Sequence, residues 1–249
     1  MMPRTVIVAD DAQALAVIAA ERLATRLSMN VQRPAVCLTG GSTPKDLYEL
    51  LATPAWRDRI PWPRVHWFIG DDRFVPPGHP WSNIGLARRS FLDACAPPSH
   101  VHPMPTDAST PEDAAALYQR ELRAFHGASL DAAPLFDLVL LGVGPDGHIA
   151  SLFPGTSALA ERQHWVVGVV RAATAPFVPR VSLTLPALDS TREMLFLVTG
   201  RDKRDILSRV FAGEDLPAAQ AHAAHGDTVW LIDRAAAPDT IDGSSTHVG

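Results

Sequence analysis

This chain of 249 residues has little cysteine, no long apolar run and no strong excess of one charge. Its two cysteines cannot build the dense disulfide framework of a small secreted domain. The formal net charge of −5 argues against a surface that binds nucleic acid. No apolar run reaches the roughly 20 residues of a membrane span, and the N-terminus lacks a signal-peptide pattern. These absences predict a cytoplasmic protein with neither nucleic acid nor membrane as a partner.

Histidine occurs 10 times, but never in the spacing of a metal site. His100 and His102 share one side of an extended segment, and His222 and His225 are three residues apart. Neither pair has an evident third ligand nearby, as a structural or catalytic metal would need. The sequence therefore predicts no metal centre and places these four histidines at the surface.

The chain instead shows a regular alternation of apolar strand-like runs and helical patterns. Helix starts are predicted at Asp10 or Asp11, at Ser82 and at Thr110, all good N-cap residues. Such alternation implies βαβ units and a parallel sheet, and right-handed crossovers place helices on both faces. We predict one α/β domain over residues 1–237, built on an open, mainly parallel twisted sheet, and a flexible tail over 238–249. The predicted strands are residues 5–9, 35–39, 65–69, 136–141, 165–170, 181–185 (half-exposed), 194–199 and 228–232.

The most informative segment is the glycine-rich run after the fourth of these strands, residues 142–155, which reads GVGPDGHIASLFPG. In open α/β sheets, ligands bind outside the carboxyl ends of the strands. The run presents Asp146 and His148 at such an end, and histidine changes charge near neutral pH. The segment therefore predicts a catalytic histidine with a neighbouring carboxylate. The alternative is a plain α/β domain in which this histidine is structural.

A second turn, GGSTP at residues 40–44, joins a strand to a helix. It fits neither the P-loop nor the dinucleotide-binding glycine pattern. The free N–H groups of a helix N-terminus favour anions, so the turn is a candidate phosphate site. An ordinary helix cap by Ser42 or Thr43 is the alternative.

Three further basic residues are candidates for ligand contact. Arg73 closes the segment Gly70–Asp71–Asp72–Arg73. The other interpretations of this segment are a solvated charged turn and, separately, an Asp72 that simply holds Arg73 in place. Arg180 enters a strand, and Lys203, one of only two lysines, follows another. Arginine suits planar contacts to carboxylate or phosphate, although each of these cations alone also fits an exposed surface position. No Gly-x-Ser-x-Gly elbow is present to support a serine hydrolase.

Taken together, these segments resemble the 6-phosphogluconolactonase family. The resemblance covers about residues 36–203, in family order. The related glucosamine-6-phosphate deaminases typically continue after the histidine with a segment resembling Ile-Ala-Phe-Asn-Glu-Pro, and the SLFP of residues 151–154 favours the lactonase. Asp72 stands where the family usually has glutamate, and Gly78 where aspartate is common, which leaves loop details open. The matching segments are GGSTP at 40–44, GDDRFVP at 70–76, SN at 82–83, the run at 142–155 and RVSLTLP at 180–186.

The resemblance implies a Rossmann-like fold of the NagB type and a hydrolase of the oxidative pentose phosphate pathway. Its small-molecule partner would be 6-phospho-D-glucono-1,5-lactone, opened to 6-phospho-D-gluconate without metal or organic cofactor. His148 would act as the general base toward water, and Asp146 would position His148 or a sugar hydroxyl. The implied substrate and phosphate contacts are Gly41, Ser42, Thr43, Arg73, Asn83, Arg180 and Lys203.

Two other functions remain open on the same scaffold, an amino-sugar-phosphate deaminase and a non-catalytic sugar-phosphate sensor. The first predicts ammonia release, and the second predicts binding without turnover. We expect a monomer, because no long exposed apolar helix or zipper pattern stands out.

Overall fold

The computed structural model describes residues 4–29, 32–127, 133–239 and 245–248, the last range by its backbone alone. Its strands are β1 (Thr5–Ala9), β2 (Ala35–Leu38), β3 (His66–Ile69), β4 (Asp71–Arg73), β5 (Val101–His102), β6 (Leu138–Leu141), β7 (Val166–Val169), β8 (Arg180–Leu183), β9 (Glu193–Val198), β10 (Asp227–Asp233) and β11 (Ser245–Val248). Its helices are α1 (Ala12–Ser28), α2 (Thr43–Leu51), α3 (Pro54–Arg57), α4 (Asn83–Ala87), α5 (Asp93–Cys95), α6 (Pro111–His126), α7 (Ser157–Ala160), α8 (Leu185–Asp189), α9 (Arg204–Phe211) and α10 (Pro217–Gln220). A π-helical turn, Arg88–Leu92, continues α4 into α5.

Eight strands form the central sheet, in the order β11-β1-β10-β9-β6-β2-β3-β5. Every neighbouring pair is parallel. Strands β2, β6 and β9 are buried at every position, as expected where both faces of a parallel sheet are covered. The predicted open, mainly parallel α/β sheet is confirmed.

The direction of the chain reverses between β2 and β6, and this reversal opens a crevice. From β2 the chain moves outward to β3 and β5, then returns to β6 on the other side of β2 and continues to β9. The two loops that leave such a switch point diverge, so ligands bind between them. Here the diverging loops begin at Thr39 and Gly142 and contain the two glycine-rich turns singled out in the sequence.

A small antiparallel sheet, β4-β8-β7, stands beside the carboxyl end of β3. In its register Asp71 faces Ser182, and Arg73 faces Arg180. The sequence interpretation of residues 70–73 as a solvated turn is wrong, because both aspartates are buried and belong to β4. The half-exposed pattern expected for residues 181–185 is wrong as well, since every residue of β8 is buried between its two partner strands.

The predicted helix starts are formed by side-chain caps. Asp11, Ser82 and Thr110 accept hydrogen bonds from the N–H groups of Ala14 (2.8 Å), Gly85 (3.0 Å) and Asp113 (3.1 Å). Each cap satisfies one of the donors that a first helical turn leaves unpaired. The cap at Ser82 orients α4, whose first residue is Asn83.

The C-terminal segment differs in part from the expected flexible tail. Ser245–Val248 forms β11, which pairs with β1 along the edge of the central sheet. Residues 240–244 and 249 of that predicted tail lie outside the described ranges. An edge strand such as β1 offers unpaired backbone groups, which a polar segment with little intrinsic strand preference can satisfy.

Two absences can be reported for the described part of the chain. None of the helices there is both long enough and apolar enough to cross a membrane. Within the same ranges, no three histidine, cysteine, aspartate or glutamate side chains are arranged to hold a metal ion.

Histidines cluster at the β5 edge of the sheet, where the sequence analysis expected only surface positions. His66 stacks on His100 and His102, with ring centroids 4.1 and 5.2 Å apart. His66 Nδ1 lies 2.9 Å from His102 Nε2, and His102 Nδ1 lies 2.6 Å from Glu121 Oε1. The surface prediction is therefore wrong for His102, whose side chain is only 12% exposed. His225 is exposed as predicted, and His222 is partly exposed.

This cluster predicts a loss of stability in acid. Burial, together with the neighbouring His100, His102 and Arg33, lowers the pKa of His66 from 6.5 to about 4. As the pH falls between these values, the unfolded chain takes up a proton that the folded chain refuses, so the free energy of unfolding decreases. The substitution His66→Phe keeps a ring at this position but removes the titrating group. After allowance for solvent screening, we expect the decrease in the free energy of unfolding on acidification to be about 1 kcal/mol smaller in this variant than in wild type.

Urea unfolding of both proteins at about pH 7 and about pH 4.5 measures this difference. The hydrogen bond between His66 and His102 is lost at both pH values, so only the change with pH carries the test. An equal loss of stability in acid for the two proteins would contradict the prediction.

Candidate functional site

A cavity of about 410 Å³ opens at the carboxyl ends of β2, β6 and β9. The small sheet contributes side chains from β4 and β8. Eight of the nine residues predicted for the site line this cavity, although they come from segments far apart in the chain. They are Gly41, Ser42, Thr43, Arg73, Asn83, His148, Arg180 and Lys203.

The ninth predicted residue, Asp146, lies behind His148. Its Oδ1 is 2.5 Å from His148 Nδ1 and also accepts the backbone N–H of His148 at 3.2 Å. A carboxylate accepts only, so Nδ1 carries the ring proton and Nε2 is the nitrogen left to face the cavity. Partial burial alone would raise the pKa of Asp146, but the hydrogen bonds and charge of His148 lower it below its ordinary value.

The glycine-rich turn lets the imidazole lie directly on the backbone. A Cβ atom at Gly144 would fall 2.0 Å from His148 Cε1, closer than any side chain allows. The ring also contacts that of Phe153 in a tilted arrangement, with centroids 4.6 Å apart. The N–H of Gly144 donates to the carbonyl of His148 at 2.8 Å and closes the turn. His148 is thus fixed by a carboxylate, a glycine backbone and an aromatic ring.

Across the switch point, the N-terminus of α2 points its first turn into the cavity. Gly41 has a φ of +107°, a conformation that glycine adopts without strain. Ser42 occupies the N-cap position, but its side chain forms no capping hydrogen bond, unlike the caps of α1, α4 and α6. Thr43 Oγ1 is 2.9 Å from Thr199 Oγ1, at the end of β9. The turn leaves the Ser42 hydroxyl available to an anion.

Two arginines, Arg73 and Arg180, lie directly opposite each other on the paired strands β4 and β8. Arg180 is 3% exposed, and its Nη2 donates to the carbonyls of Thr174 (3.2 Å) and Pro176 (3.3 Å). Burial lowers the pKa of Arg180, Asp71 raises it and Arg73 lowers it. Like charges opposite each other on paired strands repel, so this pair favours an anion in the cavity.

Lys203 completes the cationic side of the cavity. It ends the 3₁₀ turn Arg201–Lys203 after β9, and its side chain is 23% exposed. Its Nζ is 3.9 Å from Asp202, a loose ion pair that leaves the ammonium available.

Asn83 is held in the cavity wall by the two aspartates of β4. Its N–H donates to Asp72 Oδ1 at 2.6 Å, and its side-chain Nδ2 donates to the carbonyl of Asp71 at 2.9 Å. Its Oδ1 accepts a short hydrogen bond from Arg73. Burial raises the pKa of Asp72 to about 6, against the lowering effect of the N–H groups of Asn83 and Ile84. Asp72 also accepts the N–H of Arg73, as the alternative interpretation of this segment proposed.

Sequence reasoning missed several residues that line the cavity. Asp71 was noted only as part of a charged turn, and its burial depends on the distant strand β8. Thr199 stands directly after β9, so the same strand-end rule would have found it. Thr174 and Ala175 come from the loop before β8, for which the sequence carries no comparable signal.

Several known proteins are similar to this chain in both sequence and architecture. The 6-phosphogluconolactonase of Synechocystis sp. is 40% identical over 205 residues, which are 81% of this chain and 82% of that protein. The 6-phosphogluconolactonase of Rattus norvegicus is 40% identical over 230 residues, or 90% of this chain and 87% of that one. The crystal structure of 6-phosphogluconolactonase from Thermotoga maritima is 31% identical, with a TM-score of 0.80 over 93% of this chain and 100% of that chain.

A family model with the description glucosamine-6-phosphate isomerases/6-phosphogluconolactonase matches residues 10–230. The match begins directly after β1, ends within β10 and so includes every segment that lines the cavity. This chain therefore belongs to the glucosamine-6-phosphate isomerase/6-phosphogluconolactonase family.

Proposed function

We propose that this chain hydrolyses 6-phospho-D-glucono-1,5-lactone to 6-phospho-D-gluconate, the lactonase step of the oxidative pentose phosphate pathway. The observation that carries the proposal is a histidine oriented by a carboxylate in the same cavity as Arg73, Arg180 and Lys203. An oriented base beside a cationic pocket suits an electrophilic substrate with an anionic handle. Several curated relatives between 36% and 40% identical carry the name 6-phosphogluconolactonase and support this choice.

In the proposed mechanism, His148 Nε2 takes a proton from a water molecule as the water oxygen attacks the lactone carbonyl carbon. The tetrahedral intermediate then collapses with cleavage of the bond between that carbon and the ring oxygen, which receives the proton back from His148. Asp146 keeps the proton on Nδ1 and stabilises the imidazolium that forms between the two steps. General-base assistance of this kind contributes about 10²–10⁴-fold.

The phosphate group lies, in this proposal, against the first turn of α2. Gly41, Ser42 and Thr43 contribute N–H groups and hydroxyls, and Arg180 and Lys203 contribute charge. Binding energy from this remote group orients the carbonyl toward His148. Arg73 and Asn83 are assigned to the sugar ring and the developing oxyanion.

No metal or organic cofactor enters the proposed reaction. A lactone is an activated ester, so a positioned water and a base suffice for its hydrolysis. We also propose that the protein acts as a monomer in the cytoplasm. The sequence supports a monomer only in that no long exposed apolar helix or zipper pattern stands out in it.

The test is the rate of hydrolysis of freshly generated 6-phosphogluconolactone, measured above its spontaneous rate. We expect strong acceleration, and no release of ammonia from glucosamine 6-phosphate. No acceleration by well-folded protein would overturn the proposal. Ammonia release would then support a deaminase, and phosphate-dependent binding without turnover would support a sensor.

A further inference from the structure

Among the described residues that line the cavity, Asp71 carries the one carboxylate, and the others are cationic, polar or apolar. Asp71 is 5% exposed, and the proposed reaction gives it no role. Its Oδ2 accepts the hydroxyl of Ser151 at 2.6 Å, and its Oδ1 accepts the side-chain N–H of Asn83 at 3.2 Å. Ser151 belongs to the turn that contains His148, and Asn83 is hydrogen-bonded to Arg73.

The first partner, Ser151, fixes the segment that follows His148. The chain makes a tight turn there, in which the N–H of Leu152 donates to the carbonyl of Ile149 at 2.9 Å. Ala150, at the corner, has a φ of +47°, a strained value for a residue with a side chain. The Ser151 N–H also donates to Ser182 Oγ at 3.2 Å, so this residue is held from β4 and from β8. Such anchoring keeps a strained turn in one conformation.

The second partner, Asn83, determines where the guanidinium of Arg73 lies. Its Nδ2 donates to Asp71, so the opposite atom of the amide, Oδ1, points at Arg73 and accepts from it. Without the carboxylate, the carbonyl of Asp71 at 2.9 Å is the acceptor that remains for this Nδ2, so the amide is held less firmly against a reversal that would turn a donor toward the guanidinium. Asp71 therefore sets the orientation of Asn83 and, through it, that of Arg73.

Helix capping does not account for Asp71, because the neighbouring Asp72 already does that work. Asp72 accepts from the N–H groups of Asn83 and Ile84 and from the hydroxyl of Ser82. The carboxylate of Asp71 is thus committed to two side chains on either side of the cavity.

We infer that Asp71 is a positioning residue that links the His148 turn to Arg73 and keeps the proposed base and the proposed oxyanion contact in register. The inference rests on the proposed function for its kinetic consequence. An ionised acceptor in a buried network orients its donors more strongly than a neutral one. Since displacement by about 1 Å costs a reaction about 10²-fold, the rate depends on the relative position of the two groups as well as on their presence.

The experiment compares wild type with Asp71→Asn, Ser151→Ala and the double variant. For Asp71→Asn we expect kcat about 10²-fold lower, with KM changed less than about threefold and inhibition by inorganic phosphate retained. Ser151→Ala should lower kcat by about tenfold. The double variant should resemble Asp71→Asn alone, because Ser151 acts through Asp71.

Asp137→Asn is the matched control. Asp137 is also a buried carboxylate, but it accepts the N–H of Ala35 at 2.9 Å, at the opposite end of the sheet. A merely structural role for Asp71 predicts equal losses of thermal stability in the two variants and equal kcat values. Independent losses in the double variant, or an unchanged kcat in Asp71→Asn, would overturn the inference, and a rise in KM alone would indicate a direct substrate contact instead.

The ¹⁵N resonances of the His148 ring provide a readout that does not need turnover. We expect them to shift in Asp71→Asn and to stay fixed in Asp137→Asn, and unchanged resonances in both would refute the positioning role. An inactive wild type with shifted His148 resonances would count against the proposed function alone. An active wild type together with a fully active Asp71→Asn would count against the inference alone.

Discussion

Replacing His148 with Ala is expected to lower kcat for lactone hydrolysis by about 10²–10⁴-fold while the fold stays intact. The imidazole is the base oriented by Asp146 in the cavity, and no second histidine lines it in the described ranges. Its removal costs the contact with Phe153, a loss of about 1 kcal/mol that a folded domain tolerates. The binding of inorganic phosphate should be retained, because the phosphate contacts lie elsewhere in the cavity.

The measurement is the lactonase rate of wild type, His148→Ala and the control His225→Ala, an exposed histidine far along the chain. Circular dichroism and thermal unfolding verify that all three proteins fold. Activity in His148→Ala within about threefold of wild type would remove the general base from the mechanism.

The substitution Asp146→Asn tests the orientation of His148 while the imidazole itself stays in the site. An amide can turn its N–H₂ group toward Nδ1, which moves the ring proton to Nε2 and blocks the base. We expect a loss of about 10²-fold in kcat, with KM little changed. A variant as active as wild type would mean that the hydrogen bond at 2.5 Å does not set the tautomer.

Arg180→Met should have the second large effect, on binding rather than on chemistry. A buried charge that contacts an anion contributes several kcal/mol, so we expect kcat/KM to fall by about 10²-fold or more, mostly through KM. Inorganic phosphate should stop inhibiting the variant at concentrations that inhibit wild type. An unchanged KM would exclude Arg180 from the phosphate site.

The same substitution should leave stability within about 1 kcal/mol of wild type. Methionine fills similar space. The loss of the hydrogen bonds to Thr174 and Pro176 and of the attraction to Asp71 is opposed by relief of the cost of burying the charge and of the repulsion from Arg73. The control for the loss of an arginine charge is Arg209→Met on α9, which removes an exposed ion pair between Arg209 and Glu214. Thermal unfolding in phosphate-free buffer, compared with the kinetics, separates a binding role from a folding role.

Without the family resemblance, the parts of the site that the sequence predicted are those encoded over a few neighbouring residues. Glycines after a continuous apolar strand mark a turn that a ligand approaches, and the caps at Asp11, Ser82 and Thr110 are equally local. The general rule on strand ends then brought His148 together with Ser42 and Thr43 across a gap of about a hundred residues.

What the sequence could not show depends on distant pairing. Residues 71–73 are a charged tripeptide by composition, and only their register with β8 makes them a buried strand. His102 is polar by type, yet the ring of Phe68 stacks on it at 4.2 Å and helix α6 supplies Glu121. Strand β11 forms because β1 has an edge available for pairing, and nothing in the sequence of residues 245–248 predicts a strand there.

The pairing of β4 with β8 also bears on when this protein becomes competent during its synthesis. The strands are separated by more than a hundred residues, and contacts of such separation form slowly because a long loop must close first. A nascent chain that ends before β8 lacks Arg180. Lys203 directly precedes α9, so a chain must extend to the start of α9 before it contains this lysine. The cavity described above is therefore complete only when the chain has been made as far as Lys203.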